Sequence, residues 1–289
     1  MNKTITALLA AAGIVAAAPA SAVIVGGIDF GALGADPSRR HLETTTLAQT
    51  LVNGNGQNAT VYGFIATVNG DVSYCADNTA NCGLYFVSTA TGSQNFAAAG
   101  PGTEGYIEFT GTTTSVYYSN QPQLNLLSQD SPTNIATIQA LNGGDPWVTL
   151  HGHNNLGGSA SAEAVLNAVP ILTGQVLSGS TFGLFDVSGP GDPNVINFLN
   201  ANGVSDAAGG ATDISLTGSF NNNVLNPVDV ANGLTAGCAD GTGTGNWCFQ
   251  GSADLRGNTV INQVPEPGML ALVGVGLLGF GAAYRRHRA

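Results

Sequence analysis

Apolar and polar residues alternate along the middle of the chain in short runs that end at Gly, Asn or Pro, a pattern typical of β-strands. We expect a hairpin between residues 61–68 and 72–75, because Asn69 and Gly70 both tolerate the positive φ of a two-residue turn. A second hairpin is expected between residues 106–110 and 115–118. Further strands are predicted at residues 147–151, 171–177, 181–187, 214–220, 246–249 and 259–264.

Two short helices interrupt this strand pattern. Ser131 is the expected N-cap of the first, with Pro132 in its first turn, and Asp192 followed by Pro193 opens the second in the same way. The other elements are strands without a regular repeat. We therefore predict an all-β fold, a jelly-roll-like β-sandwich with one or two short helices. Residues 23–263 suffice for one large domain or two smaller ones.

The beginning of the chain has the features of a secretory signal. Lys3 gives a positive start, residues 5–18 are apolar, and Ala20-Ser21-Ala22 supplies the small residues that signal peptidase needs. We predict a cleavable signal helix within residues 1–22, cut after Ala22, in preference to a short buried core helix.

The C-terminal segment combines an apolar stretch with a basic end. Residues 269–284 carry no charge, and Arg285, Arg286 and Arg288 follow them. A helix of this length would span about 24 Å, less than the roughly 30 Å hydrocarbon core of a bilayer. The arginines are expected on the cytoplasmic side. Such a marginal transmembrane helix favours a temporary hold over a permanent anchor.

A proline-containing motif precedes this segment. Val264-Pro265-Glu266-Pro267, the apolar stretch and the basic end together resemble the PEP-CTERM sorting signal of bacteria that produce exopolysaccharide. The resemblance implies recognition by exosortase, a membrane-embedded cysteine peptidase that removes the tail and releases the protein or attaches it outside the cell. The two prolines suit this role, since they keep the motif extended.

The resemblance divides the chain into three parts: a signal peptide at 1–22, an extracellular β-rich domain at 23–263, and a sorting signal at 264–289 with its motif at 264–267, helix at 269–284 and basic tail at 285–289. The protein is thus expected to be exported, held at the inner membrane and passed to the cell surface or extracellular matrix. The same C-terminal domain type also carries the label "ice-binding protein C-terminal". That label describes the tail and implies no activity.

The predicted extracellular domain is strongly acidic. Arg39, Arg40 and Arg256 stand against seventeen acidic residues, and there is no lysine. Nucleic acid is excluded as an expected partner, because binding to its phosphates requires cationic side chains. The partners implied by the resemblance are exosortase and, in a biofilm-like matrix, exopolysaccharide or other surface proteins.

Four cysteines form two local pairs, which indicates disulfides in an exported protein. Three connectivities are possible, and the close spacing favours Cys75–Cys82 and Cys238–Cys248. A four-thiolate zinc site is disfavoured, because the spacing lacks the short knuckle of such sites.

His151 and His153 are weak candidates for metal ligands. Residues two apart on a strand face the same side, and Asp145 is a conceivable third ligand. A polar loop that uses these histidines for hydrogen bonds is the commoner arrangement. We therefore predict no metal site and no cofactor.

Signals for catalysis are sparse. No serine lies in a G-x-S-x-G elbow, whereas Glu104, Glu108 and Glu163 could supply a glycosidase pair if the fold brought two of them together. The sequence favours a non-enzymatic structural or binding protein, with a polysaccharide-acting hydrolase as the alternative. Four aromatic residues are expected in the core rather than on a sugar-stacking surface: Tyr117, Tyr118, Trp147 and Trp247.

Overall fold

The computed structural model describes residues 22–36, 39–76, 81–100, 102–121, 123–156, 159–170 and 177–257. The predicted signal peptide up to residue 21, most of the strand at 171–177, the strand at 259–264 and the sorting signal lie outside these residues. No helix within the described ranges has the length and apolar character that a membrane span requires.

Thirteen strands and three α-helices make up most of the described chain. The strands are β1 Ile24–Val25, β2 Ile28–Asp29, β3 His41–Thr50, β4 Ala59–Val68, β5 Gly83–Ala97, β6 Gly105–Ser119, β7 Val148–Gly152, β8 Ala164–Pro170, β9 Leu177–Ser188, β10 Val204–Ser205, β11 Ala211–Thr212, β12 Ile214–Asn221 and β13 Trp247–Arg256. The helices are α1 Ser131–Gln139, α2 Pro193–Leu199 and α3 Pro227–Ala231, and 3₁₀ turns occupy Ala32–Ala35 and Leu141–Gly144.

The main sheet closes on itself. Its strands follow the antiparallel order β12-β13-β3-β4-β5-β6-β7-β9-β8, and β12 also pairs with β9 from Ile214↔Phe185 to Asn221↔Ser178. β7 and β8 share one position in the wall, because each pairs with a different half of β6 and of β9. The result is a barrel with eight strand positions.

The all-β class is confirmed, but the predicted two-sheet sandwich is wrong. Alternation of inward and outward residues is the same in a sandwich and in a barrel, so it does not distinguish them. In the barrel, glycines lie where the backbones of neighbouring strands approach closely. A Cβ on Gly63 would lie 1.9 Å from the Thr45 carbonyl oxygen, and one on Gly251 would lie 2.1 Å from the Ser219 carbonyl oxygen.

The two predicted hairpins are both corrected. Asn69 and Gly70 do form a turn with positive φ, but residues 72–75 leave the main sheet and β4 pairs with β5 instead. Tyr74 is buried, with its hydroxyl donating to the Ile65 carbonyl oxygen, and Cys75 bridges to Ile28. Residues 106–118 form part of one continuous strand, β6, because long-range pairing with β5 and β7 outweighs the glycine at 111.

The helices begin at the predicted places in the sequence, with two differences. Asp192 caps α2 as expected, accepting a hydrogen bond from the Asn194 amide. The N-cap of α1 is Asp130 rather than Ser131, because the Asp130 carboxylate accepts from the Thr133 amide. Helix α3, capped by Asn226, was not predicted.

Hydrophobic clusters fill both ends of the barrel. At one end, which we call the hairpin end, Ile28 and Phe30 of the β1–β2 hairpin pack with Leu42 and Val148. At the opposite end, Leu51, Phe220 and Phe249 pack around the second disulfide. The disulfides join Cys75 to Cys82 and Cys238 to Cys248, the local pairings expected from the spacing.

Substitution of Gly251 tests how closely β12 and β13 approach each other. Gly251→Ala should lower the free energy of unfolding by about 1–3 kcal/mol, because the added Cβ would collide with the backbone at Ser219 and force the strands apart. Urea denaturation measures the difference. Gly100→Ala is the matched control, since its Cβ would meet no atom within 4 Å. An unchanged unfolding midpoint for Gly251→Ala would contradict the close approach.

Candidate functional site

The connection between β7 and β8, which the structure describes at residues 153–156 and 159–163, carries most of the polar groups of interest. We call it the β7–β8 loop. At its end, the Glu163 amide donates to the Phe109 carbonyl oxygen at 2.9 Å, and the Glu163 carboxylate accepts from the Thr112 amide at 2.6 Å. Glu163 thereby makes the hydrogen bonds to β6 that a continuous neighbouring strand would make. It closes the barrel wall between β7 and β8.

His153, at the start of the loop, is held by three contacts. Its amide donates to the Leu184 carbonyl oxygen at 2.8 Å. Its ring Nδ1 lies 2.8 Å from the Asp186 carboxylate and its Nε2 lies 3.1 Å from the Asp206 carboxylate. Both ring nitrogens are therefore occupied, and the imidazole joins strand β9 to the turn after β10.

Asp206 is the second anchor of this cluster, and its side chain is only 3% exposed. One carboxylate oxygen accepts from the amides of Ala208 and Gly210, at 2.9 and 2.6 Å. The other accepts from His153 and from the Asn155 side chain at 3.2 Å. The β10–β11 hairpin is thus attached to the barrel through one carboxylate.

The electrostatics of the cluster favour a charged pair. Burial lowers the pKa of His153, but the hydrogen bonds and charges of Asp186 and Asp206 outweigh it and raise the pKa above its ordinary value of 6.5. The hydrogen bond from His153, aided by the turn amides and Asn155, lowers the pKa of Asp206 to about 2 against the effect of burial. The raised pKa of His153 favours an imidazolium between the two carboxylates.

The metal candidates are not gathered around one point. The His151 ring lies 3.4 Å from the Gly189 carbonyl oxygen, and Asp145 ends the 3₁₀ turn that precedes β7. His153 has a carboxylate at each nitrogen, so a metal would have to displace one of them. Among the described residues, no group of three or more His, Cys, Asp or Glu side chains is arranged to hold a metal ion.

The three candidate glutamates have different surroundings. Glu104 is exposed just before β6, whereas Glu108 is 4% exposed and sits among neutral donors. Its carboxylate accepts hydrogen bonds at 2.8–2.9 Å from the side chains of Gln94, Asn95, Tyr106 and Ser159. Burial raises the pKa of Glu108, but these bonds outweigh it and lower it overall. Burial together with Glu108 raises the pKa of Tyr106 to about 12.

Glu108 and Glu163 are thus engaged in separate sets of hydrogen bonds. Ser159 brings the β7–β8 loop down onto Glu108, while Glu163 bonds to Thr112 in the wall. Hydrogen bonds within the protein occupy both carboxylates, and neither accepts a bond from the other's partners. The geometry therefore gives each a structural function that the sequence did not indicate.

A buried polar network outside the barrel was also missed from the sequence. Asp229 of α3 accepts from both the amide and the hydroxyl of Ser131, and Tyr62 lies 3.0 Å from that hydroxyl. Asn134 donates to the Tyr62 hydroxyl at 3.0 Å, which ties α1 to β4. The sequence feature that could have predicted α3 is Asn226-Pro227, because it places a capping residue before a proline, as Asp192-Pro193 does at the start of α2.

The aromatic candidates lie in the protein rather than on a face that could stack on a sugar. Tyr117, Trp147 and Trp247 are each at most 8% exposed, and Tyr118 is half-buried. The Trp147 indole donates to the Gly26 carbonyl oxygen at 2.9 Å, which fastens the β1–β2 hairpin to the barrel.

The C-terminal part of the chain matches a known protein-sorting motif. Residues 263–286 match the family model of the PEP-CTERM protein-sorting motif. This match spans the proline motif, the apolar stretch, Arg285 and Arg286, and it agrees with the resemblance seen in the sequence. The sorting motif implies a secreted protein that exosortase processes and that reaches the cell surface. No curated protein and no solved structure was found to match the chain, so the barrel must be understood from its own residues.

The His153 cluster makes a pH-dependent contribution to stability. Because the pKa of His153 is raised in the folded state, its ion pairs stabilise the fold at low pH, and this stabilisation is lost as the pH rises through the folded-state pKa. The pKa of Asp206 is lowered instead, so its stabilising effect is present above the unfolded-state pKa. That effect is lost as the pH falls towards about 2. His153→Gln should lower the free energy of unfolding at about pH 6 by roughly 1–2 kcal/mol. It should also reduce the loss of stability that the wild type shows on going to about pH 9.

Urea denaturation at a series of pH values measures this difference. His151→Gln is the matched control, because the His151 ring lies 3.4 Å from the Gly189 carbonyl oxygen and makes no ion pair with any described residue. This variant should keep the stability that the His153 cluster contributes. If His153→Gln kept the wild-type profile, the histidine would not link the hairpin to the barrel as described.

Proposed function

We propose that this chain is a non-enzymatic, exosortase-processed protein of the cell surface or extracellular matrix, in which the barrel is the delivered domain. The observation that carries the proposal is the PEP-CTERM match at 263–286, which begins six residues after the last described residue of the barrel, Gly257. A closed domain followed by a short connection is suited to cleavage, because the peptidase can reach the motif without unfolding the domain.

Export proceeds through the parts predicted from the sequence. The signal peptide at 1–22 directs the chain out of the cytoplasm and is cut after Ala22, and the segment at 269–284 holds the precursor in the membrane. Exosortase then recognises Val264 to Pro267 and separates domain 23–263 from the tail. Two disulfides support this route, because such bonds form and persist in oxidising compartments.

Within the matrix, we propose that the barrel binds exopolysaccharide. The domain is too acidic to attract anionic polymers, which favours a polymer without charge. Neutral hydrogen-bonding groups are exposed on the neighbouring strands β5 and β6, at Thr89, Thr91 and Thr110. The hydroxyls of Thr91 and Thr110 donate across the strand pair to the carbonyl oxygens of Gly111 and Gly92 at 3.3 Å, and their oxygens can still accept hydrogen bonds. Threonine hydroxyls both donate and accept hydrogen bonds, as sugar hydroxyls require.

Processing can be tested by mass spectrometry of the mature termini. In cells that contain exosortase, the secreted protein should begin at Val23 and lack Arg288, and in cells without exosortase Arg288 should be retained. Glu266→Gln should reduce processing severalfold if the motif is recognised. Glu104→Gln, at an exposed position before β6, is the matched control. Retention of Arg288 in both cell types would contradict processing.

Binding can be tested separately on isolated extracellular polysaccharide. The mature protein should be retained more strongly than a tail-less control protein of similar charge, and replacing Thr89, Thr91 and Thr110 by alanine should reduce retention about tenfold, as expected for the loss of a few hydrogen bonds. Replacement of Thr217 on β12 and Ser180 on β9, which are both exposed, is the matched control. Retention equal to that of the acidic control protein would refute polysaccharide binding while leaving the sorting proposal intact.

A further inference from the structure

The barrel lumen is not completely filled. A cavity of about 110 Å³ lies inside it, bordered by residues from three hydrophobic clusters, among them Leu42, Phe109 and Phe220. Ser88, Ala90 and Leu216 line this cavity and are only half-buried. The lumen therefore contains a space large enough for at least a water molecule beside these side chains.

Small side chains create the space. In an eight-stranded barrel the interior is just wide enough for side chains to fill it or for one small ligand. Here the lining includes Ala90, Gly183 and Ala253, which contribute little volume. A cavity in a protein interior costs stability in proportion to its volume, so a molecule that fits the lumen would stabilise the fold.

Among the described residues that line the cavity, none has an ionisable side chain. Leucine, isoleucine, valine, phenylalanine, alanine and glycine form most of it, and the polar groups are serine and threonine hydroxyls and the amide of Gln49. This composition contrasts with the seventeen acidic residues of the predicted extracellular domain. A charged ligand would lose its hydration without compensation, so the occupant must be neutral.

The hydroxyls add one specific requirement. Thr44 accepts a hydrogen bond from the Ala253 amide at 3.0 Å, and Ser88 accepts one from the Thr114 hydroxyl at 2.8 Å. Each of Thr44 and Ser88 uses its oxygen as an acceptor and keeps its own O–H to donate. The lumen thus offers donors, and an occupant that carries an acceptor oxygen fits them.

We propose that the lumen binds a small, neutral, mainly apolar molecule with one acceptor oxygen, such as a cyclic ketone or ether. Benzene, with six non-hydrogen atoms, fills an engineered apolar cavity of about 150 Å³, so the lumen cavity of about 110 Å³ takes about four or five non-hydrogen atoms. This site is inside the barrel and is separate from the outer threonines, so it does not depend on the proposed matrix function.

Titration of the ¹⁵N-labelled mature protein with tetrahydrofuran tests the proposal, with cyclopentane as the probe of the same ring size that lacks the oxygen. The amide signals of Ala90, Gly183 and Ala253 should shift saturably with the ether. Cyclopentane should bind about 2- to 10-fold more weakly, the effect of one hydrogen bond. Ser88→Ala should reduce the advantage of the ether by a similar factor.

Two variants fill the lumen independently, Ala90→Leu and Ala253→Leu, so that one remains informative if the other fails to fold. Either should abolish the saturable shifts while keeping the circular dichroism of the wild type. Thr217→Leu places the same side chain at an exposed position of β12 and should leave binding unchanged. Absence of saturable shifts with both probes, a cavity filled by water alone, or binding that persists in a folded filled-lumen variant would overturn the proposal. An unchanged advantage of the ether over cyclopentane in Ser88→Ala would overturn the acceptor requirement.

Discussion

Pairing between β9 and β12 is the constraint on which the rest of the structure depends. Eight residue pairs, from Ile214↔Phe185 to Asn221↔Ser178, join strands that would otherwise lie at separate positions of an open sheet. Once this pairing forms, alternate residues of every strand face a common interior. The hydrophobic clusters at the two ends, the lumen between them and the outer polar clusters all follow from that closure.

The β7–β8 loop is the place where the wall is interrupted, and polar side chains repair it. Glu163 replaces missing strand bonds, and His153 links β9 to the β10–β11 hairpin through Asp186 and Asp206. Ser159 covers the buried carboxylate of Glu108. Residues that resemble catalytic or metal-binding groups in the sequence are therefore used to hold an irregular loop against a regular barrel. Charged and hydrogen-bonded groups suit this purpose, because a loop lacks the ladder of bonds that fixes a strand.

Local features of the fold were largely predictable, and the closure was not. Asp192-Pro193 identified a helix start, Asn69-Gly70 identified a turn, and the cysteine spacing pointed to the two disulfides, because each depends on residues close together in the chain. The sandwich was wrong, since the contact that decides it joins β9 to β12 and leaves no local pattern. For the same reason, the sequence suggested His153 as a metal candidate without revealing its partner Asp206, which lies 53 residues away. The sorting motif could be found because it acts as a contiguous segment.

Closure also determines how the domain can meet other molecules. Every strand of the main sheet, as far as the structure describes it, pairs with a neighbour on both sides, so the main sheet has no terminal strand at which another chain could extend it. Closure therefore opposes the joining of two copies through their main sheets. It favours contacts made by side chains over the addition of a strand to the barrel.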